Sequence, residues 1–113
     1  MGETWKPCQS GAVIGEVEHV LVLSTGHVTA NDLRLIEERG QSEACPIGCS
    51  DYREGAWVVV PSDCDENEAL RAFGFSESFI KAVDYARGRW VPYLRLDRDG
   101  DLIECTELDT HDW

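Results

Sequence analysis

Four groups of residues in this 113-residue chain have types and spacings that chemistry can use. Cys45-Pro-Ile-Gly-Cys49, with Cys64 beyond it, offers three thiols; one more Cys or His would complete a tetrahedral zinc site. The pair is separated by three residues, not the two of thioredoxin-like redox motifs and most zinc knuckles. His19, His27 and His111 are scattered, so no second close pair of ligands exists. Five cysteines cannot pair completely, and nothing else suggests secretion, so reduced thiols packed as small hydrophobes and no cofactor are expected. A zinc- or thiol-dependent module built on Cys45, Cys49 and Cys64 is the alternative.

The second group is Ser24-Thr25-Gly26-His27, between an apolar run and a helix start, where α/β folds place ligands and where Ser and His are a nucleophile and a base. It lacks the Gly-x-Ser-x-Gly elbow and the phosphate-loop glycines with Lys. A Ser/Thr turn leading into the next helix accounts for it, and no catalytic residue is assigned. The third group, Asp97-Arg98-Asp99-Gly100-Asp101, resembles part of a calcium loop. With Gly100 at the sixth position, the first and twelfth ligands fall on Arg95 and Thr106, which fit neither place. A tight turn with solvated carboxylates is expected there.

The fourth group is acidic. Asp97, Asp99, Asp101, Glu104, Glu107, Asp109 and Asp112 stand against one base, Arg98, in the last 17 residues. Asp63, Asp65, Glu66 and Glu68 make a second cluster. If the two share a face, they form a negative surface, with Trp113 and Tyr93 on it, that imitates the phosphates of nucleic acid. The alternative is a solvated edge whose charge blocks aggregation.

The whole chain follows the same sign, with 22 acids, ten bases and a net charge of −12. Bare nucleic acid is not expected as a partner, because its affinity comes largely from Lys and Arg on phosphates. A protein partner with a basic surface is the natural complement, through steering that weakens as salt rises. No run approaches the ~20 apolar residues of a membrane helix, and the N-terminus has no secretory profile, so a cytoplasmic protein is expected.

Length and composition fit one α+β domain over residues 1–113, with 1–16 as an irregular arm. Val17 to Leu23 reads as a strand, and Thr29 with Asp32 as a capping box before a helix that stops at Gly40. Residues 41–55 read as a polar loop, and Ala56 to Val60 as a buried strand. Asp65 with Glu68 reads as a second capping box; the helix it opens ends at Gly74, and a third runs from Ser76 to Gly88. Trp90 to Leu96 alternates as a strand, with Pro92 at an edge or bulge, and Asp99-Gly100 turns the chain into a returning strand over 101–106. The order is β-α-β-α-α-β-β, one sheet of about four strands covered by about three helices. Trp57 and Trp90 are placed in the core; Trp5 and Trp113 are placed outside as contact residues. Four strands in so short a chain leave an edge through which a homodimer forms.

The run Val20-Leu21-Val22-Leu23-Ser24-Thr25-Gly26-His27-Val28-Thr29 and the closing Leu94-Arg95-Leu96-Asp97-Arg98-Asp99-Gly100 resemble small uncharacterised domains carried by phages, plasmids and integrative elements of bacteria. The resemblance covers about a third of the chain and supplies no catalytic residues. It implies an inhibitor of host defence, of anti-CRISPR type, that occupies the basic nucleic-acid-binding surface of a bacterial effector complex.

Overall fold

The computed structural model of the chain describes residues 18–111. The expected arm, Val17, Cys8, Trp5, Asp112 and Trp113 lie outside them. The described residues form an α+β domain of one four-stranded mixed sheet and three α-helices. In chain order they are β1 (Val20–Ser24), α1 (Ala30–Arg39), β2 (Cys49–Tyr52), β3 (Gly55–Val59), α2 (Asn67–Phe73), α3 (Glu77–Gly88) and β4 (Tyr93–Asp97). The sheet runs β1-β4-β3-β2, with β1 parallel to β4 and the other pairs antiparallel.

Strand alternation separates the two faces of the sheet. Leu23, Ala56, Val58, Leu94 and Leu96 point to one face and are fully or almost fully buried. They meet Ile36 of α1, Leu70 of α2, and Phe79, Val83 and Ala86 of α3 in one core. Each large apolar side chain buried there contributes about 1.5–3 kcal/mol. The other face carries Val22, Trp57, Val59, Tyr93 and Arg95, all half-buried or exposed. Trp57, expected in the core, is therefore on the outer face, 37 % exposed, with the Arg95 guanidinium 5.6 Å from its ring centre.

The expected β-α-β-α-α-β run is present, and the remaining strand comes from a different segment. It is β2, within the stretch read as a polar loop, paired with β3 across the Arg53-Glu54 turn. Residues 101–106 carry no strand. The turn at Asp99-Gly100 does form, closed by Gly100 N–H to the Asp97 carbonyl at 2.9 Å. β4, however, already has β1 on one side and β3 on the other, so a returning segment finds no free edge. Pro92 has the same explanation: β4 begins one residue after it, because proline cannot donate to a central ladder.

Helix ends follow local chemistry. Thr29 and Asp32 form the expected capping box, and Ser76 accepts from Phe79 N–H at the start of α3. The Asp65–Glu68 box does not form. Asp63 instead caps a 3-10 turn, Cys64–Glu66, that leads into α2. Both α2 and α3 close with the same pair of hydrogen bonds. Phe75 N–H reaches Leu70 O and Gly74 N–H reaches Arg71 O; Val91 N–H reaches Ala86 O and Trp90 N–H reaches Arg87 O. That closure needs a left-handed residue. In α2 it is Gly74, with φ +123°. In α3 it is Trp90, with φ +60° and 92 % of its surface exposed, where the alternation had placed it in the core. For a residue with a Cβ that conformation costs about 1–2 kcal/mol.

Candidate functional site

The C-terminal segment from Asp97 to His111, which carries six of the expected acids, is fastened to the turn that follows β1. Its anchors are three long-range bonds: Ser24 N–H to Asp101 O at 2.9 Å, His111 N–H to Gly26 O at 2.7 Å, and Ile103 N–H to His27 Nε2 at 2.9 Å. His27 is fully buried. Because Nε2 accepts from Ile103, Nδ1 carries the proton and donates to Asp109 O at 2.8 Å. Both ring nitrogens are committed to backbone. Ser24 Oγ accepts from Gly26 N–H at 3.0 Å and does not contact the imidazole. Neither residue is arranged as a nucleophile–base pair, which needs a hydrogen bond between them.

A second polar cluster joins the same segment to α3, across distances in sequence that no short motif could signal. Ser78 Oγ donates to Asp109 Oδ2 at 2.8 Å and accepts from His111 Nε2, also at 2.8 Å. Lys81 Nζ lies 3.0 Å from Asp109 Oδ1. The hydrogen bond from Ser78, and then Lys81, hold the Asp109 carboxyl below its usual range. Nucleophilic chemistry needs a base that takes the serine proton and a third group that orients the base. Here the proton faces a weakly basic carboxylate, so the arrangement is a clamp that fastens the tail to the helix.

The acids therefore divide. Asp97 accepts from Tyr52 Oη at 2.6 Å, Asp109 is held in the clamp, Glu107 pairs with Arg89 at 3.3 Å and Glu68 with Arg71 at 2.8 Å. Asp63 spends one oxygen on its cap. Asp99, Asp101, Glu104 and Asp65 are exposed, Glu66 is half-buried, and none of the five is in an ion pair among the described residues. The first acids of the two clusters, Asp97 and Asp63, lie towards opposite ends of the sheet. Asp97 lies opposite Gly55 at one end of the β3–β4 ladder, whereas Asp63 follows Val59, which lies opposite Tyr93 at the other end. Five-residue strands put those ends about 13 Å apart. At the Asp97 end the charge is also mixed: Arg34, Arg53 and Arg98 line a cleft of about 430 Å³ together with Glu37, Asp51 and Glu54.

The three cysteines do not form one site. Cys45 and Cys49 come together, with Sγ atoms 3.6 Å apart, but Cys64 is exposed on the 3-10 turn before α2. Among the described residues no three His, Cys, Asp or Glu are grouped to hold a metal ion. Burial, and then the neighbouring Cys45, push the Cys49 thiol from 9.0 to about 12, which makes it a poor nucleophile. Burial, and then the bond to Asp97, push Tyr52 from 10.0 to about 12.

Both groups hold their protons more tightly folded than unfolded. Their contribution to stability is whole below the unfolded values of 9.0 and 10.0 and is lost as pH rises towards about 12. Denaturant titrations at stepped pH are expected to show stability falling across that window, with a shallower fall above pH 10.0 in Tyr52→Phe. An unchanged slope in the variant would refute the part assigned to Tyr52.

No helix among the described residues is long and apolar enough to cross a membrane. No curated protein and no solved structure matches the chain. A family model does match, over residues 20–113, and it begins at β1 and takes in every strand and helix described above. On that match the chain belongs to the family described as "Family of unknown function (DUF5983) C-terminal domain".

Proposed function

We propose that this chain is a binding protein that docks on a basic protein surface through the segment from Asp99 to Glu104. One observation carries the reading. Asp99, Asp101 and Glu104 are exposed and unpaired among the described residues, on an irregular segment whose backbone is held at Asp101 by Ser24 and at Ile103 by buried His27. A negative segment held in place before docking avoids part of the ordering cost of association. The net charge of −12 favours encounter with a basic partner and repels nucleic acid. In its narrower form the partner is a bacterial nucleic-acid-binding defence complex, and the protein is an inhibitor of anti-CRISPR type from a mobile element. That form is supported by the resemblance of the β1 and β4 segments and by the sign of the charge.

The test compares Asp99→Asn/Asp101→Asn/Glu104→Gln with wild type in displacing nucleic acid from bacterial CRISPR effector complexes, at low and high salt. Three rim charges of about 0.5–1 kcal/mol each predict about 30-fold weaker binding and a flatter salt dependence, with thermal stability unchanged. Asp97→Asn is the control: its carboxylate faces Tyr52, so stability falls while binding is kept. Equal displacement by the triple variant and wild type would sink the assignment of these acids.

A further inference from the structure

The geometry points to a second contact site at the far end of the sheet, centred on Trp90, that takes an extended segment of a partner protein in which apolar and basic residues alternate. It deepens the reading above, on which it rests, by naming a separate site and the chemistry of its ligand. Trp90 closes α3 in the left-handed conformation that Gly74 supplies for α2, yet its side chain is 92 % exposed. A glycine would close the helix without strain, and in the isolated chain the indole buries almost nothing in return. Backbone strain of this kind clusters at functional sites.

What lies beside it fits a peptide. Val60, Pro61, Val91 and Pro92 line a groove of about 670 Å³ under Trp90, within the size range of ligand sites. Pro61 and Ser62 also line the neighbouring cleft, of about 360 Å³, which adds Asp63 and Glu66. The groove's own cation, Arg87, is neutralised by Asp84 and donates to Pro61 O at 3.2 Å. Asp63 and Glu66 thus leave the rim negative. An apolar or proline side chain fits the groove while Lys or Arg faces those acids, and the indole face adds a cation–π contact. A second copy of this chain, with its own charge of −12, is the wrong complement.

The test uses the full chain, ¹⁵N-labelled, titrated with short synthetic peptides alternating Leu or Pro with Lys or Arg, and with the same peptides carrying Glu in place of the bases. The Trp90 indole signal is identified by its loss in Trp90→Gly. The expected result is a saturable shift of that signal and of residues 60–63 and 88–92 with the basic peptides alone, weaker at high salt. Trp90→Gly is expected to bind about 30-fold more weakly while melting at or above the wild-type temperature. Glu66→Lys, a second folded variant, is expected to lose much of the salt-dependent part. Equal binding of acidic and basic peptides, full binding by Trp90→Gly, or a shift that follows protein concentration without peptide would overturn the proposal. Shifts confined to residues 99–104 would overturn it while leaving the reading of that segment intact; undiminished displacement of nucleic acid by the triple acidic variant, with Trp90 still shifting on the basic peptides, would do the reverse.

Discussion

Asp32→Ala is expected to lower the free energy of unfolding by about 4 kcal/mol, the largest effect of any single polar substitution in the described residues. Asp32 is fully buried and accepts four hydrogen bonds. Thr29 N–H and Thr29 Oγ reach Oδ2, each at 2.9 Å; Ser76 Oγ reaches Oδ2 at 2.5 Å, and Ser76 N–H reaches Oδ1 at 2.9 Å. One carboxylate thus joins the N-terminal ends of α1 and α3, whose unpaired amides and dipoles both favour negative charge there. Alanine leaves two backbone N–H groups and two hydroxyls without this acceptor, in a place water does not reach. Asparagine keeps the shape but cannot accept at both positions, so about half of the loss is expected from it. Urea denaturation measures both. A loss under about 1 kcal/mol for Asp32→Ala would mean that the two helix starts do not depend on this residue. A domain of this size has a total stability of about 5–15 kcal/mol, so the alanine variant sits near the edge of folding.

His27→Ala is expected to cost about 3 kcal/mol and to loosen one region ahead of the rest. The ring fills a fully buried position and holds the Ile103 amide and the Asp109 carbonyl at once. Without it those two groups lose their partners, and a cavity opens beneath the segment proposed to bind. Hydrogen exchange should speed over residues 101–111 before it speeds in β3 or α3, since the sheet and Phe79 are untouched. Uniform acceleration across the domain would show instead that the segment and the sheet open as one unit. Binding to a basic surface should weaken with the loosened segment even though no acid has been changed, because its ordering must then be supplied on docking.

The elements readable from the chain were those whose signal is local. Thr29 and Asp32, Ser76 with Phe79, and Gly74 are sets of residues within four positions of one another, so cap and stop chemistry identified α1, the start of α3 and the end of α2 directly. Ala56 to Val59 was readable for the same reason, as a β-branched run. β2 was not. Cys49-Ser-Asp-Tyr52 has no apolar alternation, and Arg53-Glu54 lacks the Asn-Gly or Asp-Gly of a strong hairpin turn. It pairs because β3 offers an open edge on that side. Asp99-Gly100 carries the stronger hairpin signal and forms its turn, but the neighbouring edge is already taken.

The candidate sites divide along the same line. Composition and the density of acids in the tail already determined the sign of the net charge, since charge is a sum over residues and needs no geometry. The α+β class, the bounds of α1, the end of α2 and the start of α3 were likewise readable from spacing along the chain. Tertiary structure alone decided which carboxylates remain open, because Tyr52, Ser78 and Arg89, which engage Asp97, Asp109 and Glu107, lie far from them in sequence. It also turned His27 from a candidate base into a buried fastener, separated Cys64 from the other two thiols, and set Asp97 and Asp63 towards opposite ends of the sheet. Trp90 is the sharpest case: alternation placed it in a strand and in the core, but the helix before it must close with a left-handed residue, and that closure aims the indole at solvent.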